Sequence, residues 1–346
     1  MQFKDFSRPV QIRIILRFIS VITNTAVMPF IILFFANEIG SLKVTMLALI
    51  IGVIGLFGSV MGGRITDIKG RKPVILIGEG FTTLGFISLI FGQYSTQYMI
   101  PLSVIAFTIT NFFIGFSIPA YSAFILDETT KETRKVVYVF TMWTVYLGFA
   151  IGSVLGGLLF ADYKVFLFIL LAASTILTII VIALFIPETI HKSRIEYRDS
   201  DEEEINKPNE GKFITVIFKN KVLVIILFLG FVFQVMDNQI AYYLSLLYYD
   251  LFEEKSYQVL GFLRTENTII AIVFLFAIKK YLTRFKEVNI ALIGGIFLFV
   301  GYVLLSALQV EVLLYGAMFI ASIGEILLFP ALQSISANFI PSQFRG

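Results

Sequence analysis

Five ionisable side chains sit where an apolar chain tolerates them least. Asp237, Arg264, Glu266 and Glu325 each fall inside a long hydrophobic stretch, and Glu79 lies inside another. Against hydrocarbon, such a group costs about 2.5–3.5 kcal/mol at the centre of a helix. A carboxyl group there has two outlets. It pairs with a cation, or it holds a proton and releases it when its surroundings change. Proton uptake and release is therefore the chemistry on offer. Thiolate metal sites and His-based catalysis have no candidates, because the chain has no cysteine and its one histidine, His191, lies outside the hydrophobic stretches.

The elements that must position these groups follow from composition. The 346 residues are 58% hydrophobic and 15% charged, with a mean hydropathy of +0.88. Soluble domains carry about 25% charged residues, so this chain is a polytopic membrane protein. Windows of about 20 apolar residues, the length that crosses the hydrocarbon core, occur near 14–36, 44–62, 74–93, 99–126, 136–160, 164–187, 222–248, 257–278, 287–307 and 312–338. Lipid admits only helices or closed barrels. These runs are too long and continuous for barrel strands, so ten helices are expected. The first window has no small-residue cleavage site after it and reads as an uncleaved span.

Basic residues orient the bundle. With the N-terminus inside, 23 of the 27 lysines and arginines fall in inner segments, and only Lys43, Lys164 and Lys255 in outer loops. A cytoplasmic N-terminus is the expectation, in a bacterial plasma membrane. The polar connector 188–221, with its run RDSDEEEINKPNEGK, reads as a solvated linker. It divides a six-helix bundle, 1–187, from a second bundle, 222–346, that holds spans 7–10. A weak repeat joins the two parts: Pro119, Asp127 and Arg134 recur at the same offsets as Pro330, Asn338 and Arg345. Spans 4 and 10 are six spans apart, as two parallel six-helix repeats require.

Between spans 2 and 3 the chain reads Gly63-x-x-x-Asp67-x-x-Gly70-Arg71-Lys72. Arg71 and Lys72 hold this loop on the inner face, and the glycines permit a tight reversal. In span 5, Gly148, Gly152 and Gly156 recur every four residues, with Gly157 beside the last. Such a stripe lets another backbone approach closely. Together with Gly324-Glu325 and Pro330 in span 10, these motifs resemble those of the major facilitator superfamily, and most closely its drug:proton antiporter branch.

The resemblance implies an all-α transporter fold and alternating access of two halves. It implies that Asp67 latches onto the start of span 11, and that the span 5 stripe packs against the other half. It places spans 1, 4, 7 and 10 around the cavity, which makes Glu325 the first candidate for proton coupling. Two departures stand out. The family has twelve spans, so this chain is expected to lack the last two. The branch usually has an arginine in span 4 where this chain has Asn111, which cannot carry the charge.

Other positions complete the candidate set. Asp237, Arg264 and Glu266 lie about seven to ten residues from the outer ends of spans 7 and 8. At about 1.5 Å per residue that is a similar depth. An Asp237–Arg264 ion pair with Glu266 nearby is expected, either as a fixed tether or as a carboxylate that changes partner. Glu79 is expected to pair with Arg17 or with the loop 2–3 cluster. Asn24, Asn111, Gln234, Asn238 and Gln239 are cavity-lining candidates, and 37 phenylalanines and 15 tyrosines would suit a hydrophobic solute.

The expected function is proton-coupled export of small hydrophobic or drug-like molecules, by a monomer without cofactors, metals or nucleic-acid partners. Export of sugar, amino-acid or lipid-linked solutes is the alternative. A seven-span receptor fits the length but not ten spans. A membrane enzyme would need clustered carboxylates, histidines or cysteines, and transport driven by ATP would need a GxxxxGK[ST] loop, which is absent.

Overall fold

Single glycines make the first two corners of the chain. Gly40 (φ 86°) ends α1 (Arg8–Ile39) and begins α2 (Ser41–Lys69). Gly70 (φ 101°) ends α2 and begins α3 (Arg71–Gly92). Both lie in the positive-φ region that a side chain resists. The computed structural model describes residues 3–94, 99–189, 221–282 and 285–339. Its remaining long helices are α4 (Met99–Asp127), α5 (Lys131–Phe185), α6 (Lys221–Phe252), α7 (Ser256–Leu282), α8 (Glu287–Ala307) and α9 (Glu311–Phe339).

Helix α5 is 55 residues long, twice what a membrane crossing needs, and it breaks at Tyr163 (φ −121°, ψ 31°) into two legs. Spans 5 and 6 are these legs; the other eight expected spans are the other eight helices. Among the described residues seven helices, α5 counted once, are long and apolar enough to cross a membrane, and all regular structure is helical. The protein is a multi-pass, all-α membrane protein.

The chain forms two compact units, Met1–Ser200 and Asp201–Gly346. In the first, α1 packs on α5, and α4 packs on both α2 and α3. Small residues set these approaches. A Cβ on Gly152 would lie 2.5 Å from the Ile22 carbonyl oxygen, and one on Gly148 would lie 2.7 Å from Val21; Gly156 faces Phe30 and Ala26. Gly148, Gly152 and Gly156 of the span 5 stripe therefore meet α1 of their own unit. The reason is register: Val21, Thr25 and the Ala26 backbone follow one face of α1 at the spacing of the glycines.

A second stripe was not anticipated. Gly78, Gly85 and Gly92 of α3 face Ser117, Thr110 and Ser103 of α4. The period of seven keeps one seam in contact along both helices. Apolar packing at one end of this unit gathers Leu16, Val74, Phe116, Phe124 and Ile182. The outward side of α2 is apolar as well, with Leu42, Leu49, Val53, Leu56 and Val60 all exposed. In water that surface would be a liability; in a bilayer it is the solvent-facing side. In the second unit, Gly294, Gly301 and Gly324 bring α8 and α9 together, and α7 packs on α9.

Candidate functional site

Three polar networks interrupt this apolar packing. The first ties the corner at Gly70 to the ends of α4 and α5. Glu188 Oε1 accepts the backbone N–H of Arg71 at 2.9 Å and Glu188 Oε2 that of Lys72 at 3.0 Å. A carboxylate thus satisfies the orphan donors at the start of α3, where the helix dipole favours negative charge. Arg71 turns to Asp127, with Nε 2.8 Å from Oδ2, and Thr189 donates to the same oxygen at 2.8 Å. The Arg71 and Asp127 side chains are 10% and 6% exposed. Lys72 Nζ donates to the Ala183 carbonyl at 2.8 Å, which caps the end of α5.

The motif residues therefore divide. Gly70, Arg71 and Lys72 are built into the unit, and a Cβ on Gly70 would strike the Glu188 carboxyl group. Gly63 lies near Pro119 of α4. Asp67 is exposed and has no hydrogen-bond or ion-pair partner among the described residues. The helix start expected to receive it lies outside them. Asp127 and Glu188 were missed as partners. Their signal in the sequence is their position as acidic residues at span ends on the same side as a basic loop.

The second network lines a polar cavity of about 100 Å³ between α1, α3, α4 and the second leg of α5. Arg13, Arg17, Ser20 and Asn24 follow one face of α1 into it. The Arg13 guanidinium lies 3.4 Å from the centre of the Tyr121 ring, a cation–π contact. Tyr121 donates its hydroxyl to Glu79 Oε1 at 2.6 Å. Arg13 and Arg17 are both close enough to act electrostatically on Glu79. Of the two expected partners of Glu79, Arg17 shares its cavity, while the loop 2–3 cluster is engaged with Asp127 and Glu188 instead; the hydrogen-bond donor to Glu79 is Tyr121. Asn24 lines this cavity, which lies within the first unit, and its amide donates to the Ser20 carbonyl at 2.8 Å. Asn111 donates to the Phe107 carbonyl of its own helix at 2.8 Å.

The third network is in the second unit. Glu325 of α9 accepts the Asn267 amide of α7 at 2.8 Å and the Tyr302 hydroxyl of α8 at 3.2 Å. Asn267 also donates to Ser322 at 3.0 Å. The expectation of a lone carboxylate is corrected here: three helices meet at Glu325. Tyr302 also lines an apolar cavity of about 450 Å³ bounded by Phe233, Leu298, Phe299 and Val303. Glu266, one residue before Asn267, has a buried Oε2 without a hydrogen-bond partner among the described residues. Arg264 is half-buried on α7. The Asp237 side chain, and with it the Asp237–Arg264 pair, lies outside the described residues, as do the side chains of Gln234, Asn238 and Gln239.

A helical membrane bundle with acid and base groups beside its cavities has the make-up of a solute carrier. The family profile described as Major Facilitator Superfamily matches residues 14–346. The chain belongs to that superfamily and is one of its membrane transporters. It is 22% identical over 371 residues to a Na(+), Li(+), K(+)/H(+) antiporter of Planococcus maritimus, covering 100% of this chain and 85% of that protein. It is 24% identical over 186 residues to the uncharacterized MFS-type transporter YhjO of Bacillus subtilis (strain 168), covering 53% and 45%. Among solved structures it is similar to the nucleoside transporter NupG, with a TM-score of 0.69, 12% identity and coverage of 98% and 84%. It is also similar to a D-xylose-proton symporter, with a TM-score of 0.63, 14% identity and coverage of 96% and 85%. At these identities the structural likenesses speak for the fold.

Proposed function

We propose that this transporter exports small hydrophobic or drug-like molecules in exchange for protons, by alternating access. One observation carries the reading: the Tyr302 hydroxyl joins the Glu325 carboxyl group to the wall of an apolar cavity. Cavities of about 300–1,000 Å³ with few polar groups suit drug-sized ligands. A carboxyl group inside a membrane helix is a default candidate for a proton site. Occupancy of the cavity and protonation of Glu325 then act on the same tyrosine, which is the physical basis for coupling. Glu325 is the proton-binding group in this scheme, and Asn267 and Tyr302 orient it. The basic loop end faces the cytoplasm, with the N-terminus on that side, in the plasma membrane.

A second reading has its own support. The similarity to a cation/proton antiporter spans the whole chain, so exchange of monovalent cations for protons through the same carboxyl group competes with drug export. Uptake of a dye panel and of Na⁺, Li⁺ and K⁺ into everted vesicles, with and without a proton gradient, separates the two. Drug export predicts gradient-dependent dye movement that Glu325→Gln abolishes. Gradient-dependent cation movement with no dye movement favours the second reading. Unchanged proton-dependent transport in Glu325→Gln defeats both.

A further inference from the structure

The polar cavity of the first unit has a charge left over. Two guanidinium groups, Arg13 and Arg17, share it with one carboxylate, Glu79. Each guanidinium carries five N–H donors and no acceptor, and neither donates a hydrogen bond to any described residue. Arg13 spends its face on the Tyr121 ring. Glu79 spends Oε1 on the Tyr121 hydroxyl. Arg17 is exposed at the mouth.

The hydroxyl groups around the cavity are mostly committed. Thr175 and Thr178 donate to backbone carbonyls of α5, and Ser117 to its own helix. The Thr82 hydroxyl is different: the residue is buried, lines the cavity and has no hydrogen-bond partner among the described residues. Ser20 accepts one hydrogen from Asn24 at 3.3 Å and keeps its own proton to give. The cavity therefore presents uncommitted donors from α1 and α3 and one positive charge in excess, within a membrane span where charges are found paired.

We infer that this cavity is a binding site for a compact oxyanion, the carboxylate, sulfonate or phosphate group of a small molecule. Arg17 is the principal contact, through the two-pronged geometry that guanidinium and oxyanion share. Thr82 and Ser20 complete the shell, and Tyr121 holds Arg13 so that its charge adds to the field. Glu79 stands opposite as the resident counter-ion and limits the affinity. A monovalent cation or a cationic drug gains nothing from this arrangement. The site concerns the first unit alone and does not depend on Glu325.

The test is equilibrium binding to the purified, full chain, so that proton coupling plays no part. Benzoate and inorganic phosphate are titrated calorimetrically in nanodiscs of phosphatidylcholine, and a parallel arm adds phosphatidylglycerol. The inference predicts saturable binding of at least one free anion, weakened tenfold or more in Arg17→Gln and several-fold in Thr82→Val. It predicts tighter binding in Glu79→Gln, where a competing negative charge is gone. Arg17→Lys keeps the charge and serves where Arg17→Gln does not fold; it should bind more weakly than wild type by loss of the two-pronged contact. Arg17-dependent stabilisation by phosphatidylglycerol, without binding of the free anions, upholds the site and names a lipid phosphate as its source. Binding that survives Arg17→Gln, or no saturable binding of any of the three probes, overturns the inference.

Discussion

Asp127→Ala should cost far more than an ordinary surface substitution, and the geometry says why. Asp127 Oδ2 receives both Arg71 Nε and Thr189 Oγ1 at 2.8 Å, and the two charged side chains are 10% and 6% exposed. Removing one member of a buried pair leaves the other charge without that compensation, which costs about 3–5 kcal/mol. A domain of 150–250 residues loses roughly 2–4 °C in Tm per kcal/mol, so a fall on the order of 6–20 °C is expected. Replacing both partners by apolar residues removes the uncompensated charge. The double variant Arg71→Met with Asp127→Leu should therefore recover most of the loss, since such swaps are often neutral. The assay is a double-mutant cycle on purified protein, read by thermal unfolding in detergent. An Asp127→Ala variant within about 1 kcal/mol of wild type would refute the reasoning. So would a double variant as damaged as the two single changes added together.

Three further outcomes follow from the packing. Gly152→Val places a branched side chain where a Cβ alone already meets the Ile22 carbonyl oxygen at 2.5 Å; overpacking of this kind costs about 1–3 kcal/mol or more, so the yield of monodisperse protein in size-exclusion chromatography should fall sharply. Tyr121→Phe removes the 2.6 Å hydrogen bond to Glu79 but keeps the ring under Arg13; a loss of about 1–3 kcal/mol is expected in thermal unfolding, and a Tyr121→Leu variant should lose more. Lys255→Ala breaks a 2.6 Å ion pair with Glu311, but the lysine side chain is 58% exposed, so the change should be about 1 kcal/mol or less in the same assay.

Hydropathy made the helices legible, because each crossing must carry its own apolar length. It could not show that spans 5 and 6 join through Tyr163 with almost no loop. The glycine corner at Gly70 was legible from its motif, yet Glu188, the residue that closes it, fell at the first position of what read as a linker. Its role depends on a contact with a residue 117 positions earlier. Separation in sequence also hid the cavity of the first unit. Arg13, Glu79 and Tyr121 lie on three helices, and only packing brings them together. The period-seven glycines of α3 were overlooked because a period of four is the commoner signature of close helix contact. Glu325 was the reverse case: a carboxyl group in the middle of an apolar span is conspicuous in any sequence. Its helpers Asn267 and Tyr302 are not, since an asparagine and a tyrosine in a membrane helix are unremarkable until they point at a common acid.

The central claim is that Glu325 carries the proton that moves against the exported solute. Proteoliposomes holding a pH-sensitive dye inside, diluted to create a solute gradient with no imposed pH gradient, test it most directly. Wild type should drive a change in internal pH of opposite sense to solute movement, and Glu325→Gln should show none while still binding the solute. A solute-driven pH change in Glu325→Gln equal to that of wild type would contradict the account.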